Sequence, residues 1–194
     1  MLIVMSFKKL NPYLLEMLER FSIEEPTPFQ KSTAPKDSGK TTTLILTTLQ
    51  ILKCEAVGNA PRAVVVVENK EKVLELYDEF LRYTKYSSLR VYASYKELHI
   101  DIQKSEIFEG IDILITTPTT LHKLFLLNGV STSQLKICSI DDGGFLTQKS
   151  DYTAMITVAQ SIMKCQYVLY SEKMNPKLKR FEEFFMERAQ HVKI

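Results

Sequence analysis

A stretch of alanine and valine, AVVVV at 63–67, is apolar on both of the faces a β-strand presents. Such a strand needs cover on both sides, as in the interior of a parallel sheet. The rest of the chain supplies the cover. LRVYA (89–93), IDILIT (111–116), KICSI (136–140) and QYVLY (166–170) read as further short strands. Between them lie stretches with apolar residues at helical spacing. Asn11-Pro12 reads as an N-cap followed by proline at the first helical position, with Leu14, Leu15, Leu18 and Phe21 on one face. A helix is expected over 41–54, with Leu44, Ile45, Leu49 and Leu52 on its apolar face. Asn69 is positioned to cap the next, where Val73, Leu76, Tyr77, Phe80 and Leu81 recur. TPTTLHKLFLLNG predicts a helix stopped near Gly129, and two more are expected over about 152–164 and across PKLKRFEEFFMERA. The final HVKI reads as an edge strand. Strands alternating with helices specify an α/β domain with a mostly parallel sheet. Ligands of such sheets gather at the carboxyl ends of the strands.

Composition narrows the function classes. At 194 residues, 45% apolar and 25% charged, the chain has the makeup of one soluble domain with a sizeable core. A net charge of +2 creates no strong field toward nucleic acid or membrane, so such binding needs a local patch. Cys54, Cys138 and Cys165 are far apart and form no CxxC pair, which argues against a disulfide framework or zinc site and fits a reducing cytosol. MLIVM is too short for the apolar core of a signal peptide, and no apolar run approaches a membrane span. A cytoplasmic protein that does not engage membranes is expected.

The segment APKDSGKT, residues 34–41, leads into the expected helix at 41–54. Backbone amides around Ser38 and Gly39 can form a concavity for phosphate oxygens at a helix N-terminus. Lys40 would then reach the β- and γ-phosphates, and the Thr41 hydroxyl would ligate Mg²⁺. Ala34 stands where the wider pattern wants glycine, and the Asp37 carboxylate would repel a polyphosphate. The same residues also read as a lysine near a helix N-terminus followed by three threonines.

Upstream, PTPFQ (26–30) precedes this loop, and the order of the two resembles the DEAD-box RNA helicases, whose first RecA-like domain carries a Q motif and then a phosphate loop. Further stations follow in order. VVVVENKEKV resembles motif Ia, with Lys70 and Glu71 where the family has Arg and Glu, and Glu68 and Asn69 in place of proline and threonine. TPTTL (117–121) resembles motif Ib, keeping Thr117, Pro118 and Leu121. IDDGG resembles the DEAD tetrapeptide, with Asp141 and Asp142 in its first two places, and YSEK resembles motif III, keeping Ser171. The likeness covers nearly the whole chain and implies a three-layer RecA-like (P-loop NTPase) domain. It is read as one domain over 1–194, with 1–30 holding the N-terminal helix and Q-like segment, 34–194 the core, and no second RecA-like domain.

By this resemblance Thr27 and Gln30 would hold adenine with Phe7 packing nearby, and Ser38, Gly39, Lys40, Thr41 and Thr42 would hold the phosphates of ATP. Thr41 and Asp141 would organise Mg²⁺, and Asp142 would position the attacking water. Lys70, Thr117 and Pro118 would contact single-stranded RNA. A second helicase domain or another protein would act in trans. Departures from the pattern imply weak hydrolysis at most and no autonomous unwinding. Asp142 is one methylene shorter than the family glutamate, about 1.5 Å, and misplacement of that size can cost on the order of 100-fold in rate. Gly144 and Lys173 remove both sides of a link between motifs II and III, and Thr120 replaces an arginine of motif Ib. A pseudoenzyme that binds RNA or protein as a scaffold is the alternative. IDDGG also reads as an ordinary turn and Thr117-Pro118 as a plain helix start, and Tyr92, Tyr95, His99 and His122, which no spacing selects, read as packing or solvated residues in preference to base contacts.

Only Lys31, Ser32 and Thr33 separate PTPFQ from Ala34. In the family, the rest of a helix, a turn and a strand stand here, which need on the order of ten to fifteen residues. That strand is expected to be central, so its loss would expose backbone on two neighbours. Three accounts stay open: the natural protein carries further residues between Gln30 and Ala34, the sheet closes around a real deletion, or the PTPFQ likeness is chance.

Overall fold

A computed structural model describes the protein over residues 11–21, 40–186 and 189. The expected positions Phe7, Thr27, Gln30, Ser38 and Gly39, and the HVKI segment, lie outside the described residues. Five strands form one sheet: β1 (Ala63–Val66), β2 (Val91–Ser94), β3 (Ile113–Thr116), β4 (Ile137–Ile140) and β5 (Gln166–Leu169). Their order is β2-β3-β1-β4-β5, and every pairing is parallel. β1 lies at the centre and is buried throughout, as its β-branched run requires. The described strands are contiguous in the sheet, and the segment where a feeding strand was expected lies outside the described residues. Among the described residues β5 is paired on one side only, with β4.

Helices cover both faces. α1 (Pro12–Arg20), α2 (Lys40–Leu52) and α3 (Lys70–Thr84) lie on one side, and α4 (Ile100–Glu109), α5 (Pro118–Leu126), α6 (Lys149–Ser161) and α7 (Pro176–Phe185) on the other. Alternation along β1 divides the core. Ala63 and Val65 join Leu14, Leu46, Leu49 and Phe80 on the first side. Val64 and Val66 join Leu121, Leu124, Met155 and Phe181 on the second. The result is three layers, helix–sheet–helix.

The amino ends of the strands are tied by a buried ion cluster. Asp112, just before β3, is fully buried and accepts from Arg62 Nη2 at 2.7 Å and from Arg90 Nε at 2.9 Å. Backbone amides of Val57 and Arg90 complete its shell, both at 3.1 Å. Arg62 also donates to the carbonyls of Leu52 and Glu55, and Arg90 to that of Gly58. Burial alone would raise the Asp112 pKa, but the hydrogen bonds from Arg90 and Arg62 outweigh it and hold the carboxyl below its ordinary value.

Candidate functional site

The carboxyl ends of the strands carry the other ionisable cluster. β4 leads directly into Asp141, whose amide donates to the Val66 carbonyl at 2.9 Å, anchoring it beside the end of β1. The chain then turns through Asp142, which has left-handed backbone (φ 52°), a conformation Asp adopts more readily than most residues. A 3₁₀ helix over Gly143–Thr147 follows, so IDDGG is a strand end opening a short helix rather than a simple turn. The Gly143 amide donates to the Tyr170 carbonyl at 2.7 Å and joins the ends of β4 and β5.

Lys40 is the first residue of α2, and its charge acts on Asp141. Burial raises the Asp141 pKa, Lys40 and Lys72 pull it back, and Asp142 and Glu75 push it up again. The net direction is upward, because burial outweighs the two lysines. Lys40 and Asp141, about one hundred residues apart in the chain, thus lie within electrostatic range of each other at one rim of the sheet. Thr41 is exposed in the first turn of α2. Thr42 lies on the side of Tyr83 of α3, whose pKa burial raises and Thr42 partly lowers.

Other expected residues share this rim at its far end. Lys70 opens α3 after β1, and Thr117 and Pro118 follow β3. Thr117 bonds its own helix start, 2.9 Å between its hydroxyl and that of Thr120, and Pro118 is buried at the first position of α5. Asp142 is exposed, and its Oδ1 lies 3.8 Å from where a Cβ on Gly144 would stand. Ser171 donates to the Lys173 carbonyl at 2.8 Å.

A cation, a carboxylate and an aromatic ring at the rim were given no site role by the motifs. Lys72 lies in the first turn of α3, its amide capped by Asn69 at 3.0 Å and its ammonium 2.7 Å from Glu75, within electrostatic range of Asp141 and Asp142. Glu68 faces Asp151 at the start of α6, where burial and then Glu68 raise the Asp151 pKa. Tyr95, after β2, carries the Lys70 ammonium over its ring. Position three residues after the Asn69 cap was the one available signal for Lys72. Glu68 and Tyr95 depend on which strands are neighbours.

The donor set fits a nucleotide with Mg²⁺. It combines a helix N-terminus, a lysine, an exposed threonine hydroxyl and a half-buried carboxylate on adjacent elements. Among the described residues no group of three or more His, Cys, Asp or Glu is arranged to hold a metal ion unaided. A metal here would draw part of its ligand shell from phosphate. No helix among the described residues is long and apolar enough to cross a membrane.

Comparison with known proteins matches this arrangement. The DEAD/DEAH box helicase family model matches residues 32–180. The chain is 25% identical to "Probable ATP-dependent RNA helicase ddx52" of Dictyostelium discoideum, covering 92% of this chain and 29% of that protein. It is 24% identical to "ATP-dependent RNA helicase DeaD" of Buchnera aphidicola, covering 97% of this chain and 34% of the relative. Among solved structures, S. cerevisiae dbp5 bound to nup159, gle1, ip6 and adp superposes with a TM-score of 0.79 at 18% identity, covering 93% of this chain and 51% of that one. The yeast DEAD-box splicing factor Prp28 gives 0.80 at 15% identity, over 93% and 48%. The chain therefore spans about a third of those curated relatives and about half of those solved chains. A parallel three-layer sheet, a lysine-led helix beside an aspartate at its carboxyl rim, and a family match over most of the sequence agree: the chain belongs to the DEAD/DEAH box helicase family and has its RecA-like fold.

Proposed function

We propose that this domain binds ATP with Mg²⁺ at the rim formed by Lys40, Thr41 and Asp141, binds single-stranded RNA at the adjoining rim near Lys70, and hydrolyses ATP slowly at most. The observation that supports the reading is the electrostatic coupling of Lys40, at the start of α2, to Asp141 at the carboxyl end of β4. Lys40 would hold phosphate oxygens, reinforced by the N-terminus of α2. Thr41 and Asp141 would hold the metal, which supplies charge neutralisation for phosphoryl transfer when bound. Nucleotide with its metal would favour the ionised form of Asp141 and offset the cost of burying that charge. Slow turnover is supported by Asp142. It is shorter than glutamate, and its carboxylate leans toward Gly144, where no acidic side chain reaches toward β5. Association with a second helicase domain or another protein in trans belongs to the same proposal.

Titration calorimetry with ATP and Mg²⁺ tests it. Saturable binding in the wild type and none in Lys40→Ala is the expected result. Absence of binding in both overturns the nucleotide reading.

A second reading, a pseudoenzyme acting as an RNA- or protein-binding scaffold, is favoured by the extra charges at the rim. Lys72 lies within electrostatic range of both aspartates, and Glu68 adds a carboxylate where the family pattern has proline. RNA binding that is independent of nucleotide and falls with salt would support it.

A further inference from the structure

Lys70 and Tyr95 follow strands that are not neighbours. Lys70 opens α3 after β1, Tyr95 follows β2, and β3 lies between the two strands. Yet the Lys70 ammonium sits 5.1 Å from the centroid of the Tyr95 ring. The pair bridges the rim across the end of β3, where Thr117 and Pro118 stand. Lys70 differs from nearby cations. Lys72 is neutralised by Glu75 at 2.7 Å and Arg82 by Glu79 at 2.8 Å. Among the described residues Lys70 has no ion pair, although Glu68 and Glu71 flank it in sequence.

A carboxylate partner would hold Lys70 in place but cancel its charge. An aromatic face holds an ammonium through the ring quadrupole and leaves the charge and its hydrogens available. Tyr95 is itself anchored. Ser94 is buried and donates to Gln103 Oε1, and Gln103, 1% exposed, donates from Nε2 to the carbonyls of Tyr95 at 3.2 Å and Leu98 at 2.8 Å. The Leu98 amide also donates to the Tyr95 carbonyl at 3.2 Å. A buried amide thus fixes the backbone that carries the ring, and the ring fixes the cation.

We propose that Tyr95 is a positioning residue for RNA binding: its ring holds the Lys70 ammonium, still charged, at the rim to receive a backbone phosphate of single-stranded RNA. This rests on the RNA-binding reading above. Tyr95 acts through Lys70 and does not itself stack on a base. Sequence tolerance follows, because a phosphate contact carries no base information.

The test uses the full chain and a labelled oligouridylate, with affinity measured across a salt series. Lys70→Ala weakens binding and lowers the magnitude of the salt slope by about 0.7, the value for one phosphate contact on a single strand. Tyr95→Leu weakens binding about two- to five-fold. Tyr95→Phe, which keeps the ring, retains wild-type affinity. Tyr95→Leu adds no further loss in the Lys70→Ala background, as expected when one residue acts through the other. Fully additive losses would overturn the proposal, because Tyr95 would then touch RNA on its own. Unchanged binding in Lys70→Ala overturns it while leaving RNA binding intact. Failure of the wild type to bind RNA overturns both it and the reading beneath it. NMR gives a check without RNA: the Lys70 ε-methylene signal shows a ring-current shift in the wild type and Tyr95→Phe and loses it in Tyr95→Leu. Absence of that shift in the wild type overturns the positioning role.

Discussion

Gly143 and Gly144 follow the same two aspartates but meet different surroundings. A Cβ on Gly143 would come within 2.7 Å of Leu169 Cδ1 and 3.1 Å of Leu178 Cδ2. Leu178 is fully buried, so its freedom to yield is limited. A Cβ on Gly144 meets only Asp142 Oδ1, at 3.8 Å. Gly143→Ala is therefore expected to lose about 1 kcal/mol, near the low end for overpacking because both contacts are branch ends. Gly144→Asp should change stability by no more than about 0.5 kcal/mol. Urea denaturation of the two variants checks the contrast, and equal losses would contradict it. The departure from the family tetrapeptide at Gly144 is thus not imposed by space.

Each helix start was legible where a side chain caps it. Asn11 accepts from the Tyr13 amide at 2.9 Å, and Pro12 begins α1 as read from the sequence. Asn69 does the same for α3. Asn69→Ala should cost about 1 kcal/mol, measurable by urea denaturation, and should loosen the turn that aims Lys70 and Lys72. α4 had no such signal. His99 makes no capping bond, Ile102 and Phe108 are 58% and 86% exposed, and the buried Gln103 is polar. Its pattern runs against the apolar stripe by which helices are recognised. Boundaries moved for comparable reasons. β2 begins at Val91, two residues inside LRVYA, because the Arg90 amide bonds to the Asp112 side chain. α6 begins at Lys149, ahead of its first apolar contacts. In strands, the β-branched run at 63–67 announced full burial, and β1 is buried on each face; β3 is equally buried, which its strand reading did not specify.

At the scale of the molecule, the sheet order decides what the sequence could reveal. Lys40 and Asp141 were legible because each stands in a motif with its own spacing. Lys72, Glu68 and Tyr95 were not, since their roles arise only when β1 lies between β3 and β4 and β2 lies beyond β3. Among the described residues the five strands are contiguous, and the segment that would feed the loop lies outside them. The opposite end of the sheet holds Asp112 between two arginines. Asp112→Asn would leave the buried Arg62 and the half-buried Arg90 without a counter-charge and should cost about 3–5 kcal/mol by thermal or denaturant unfolding. Its pKa is lowered in the folded protein, so its contribution is present above the unfolded value of about 3.9 and fades as pH falls toward the folded one. Wild-type unfolding measured from neutral pH downward should show this loss, and the Asn variant should lack that component.

Asp141 has the reverse sign. Its folded pKa is raised, so acid relieves the strain of holding it ionised while acid weakens Asp112. Because every strand runs the same way, the two carboxylates sit at opposite poles of one sheet. Protons therefore act on the domain as a lever with two arms: they loosen the pole held together by Asp112 and discharge the pole that carries Asp141.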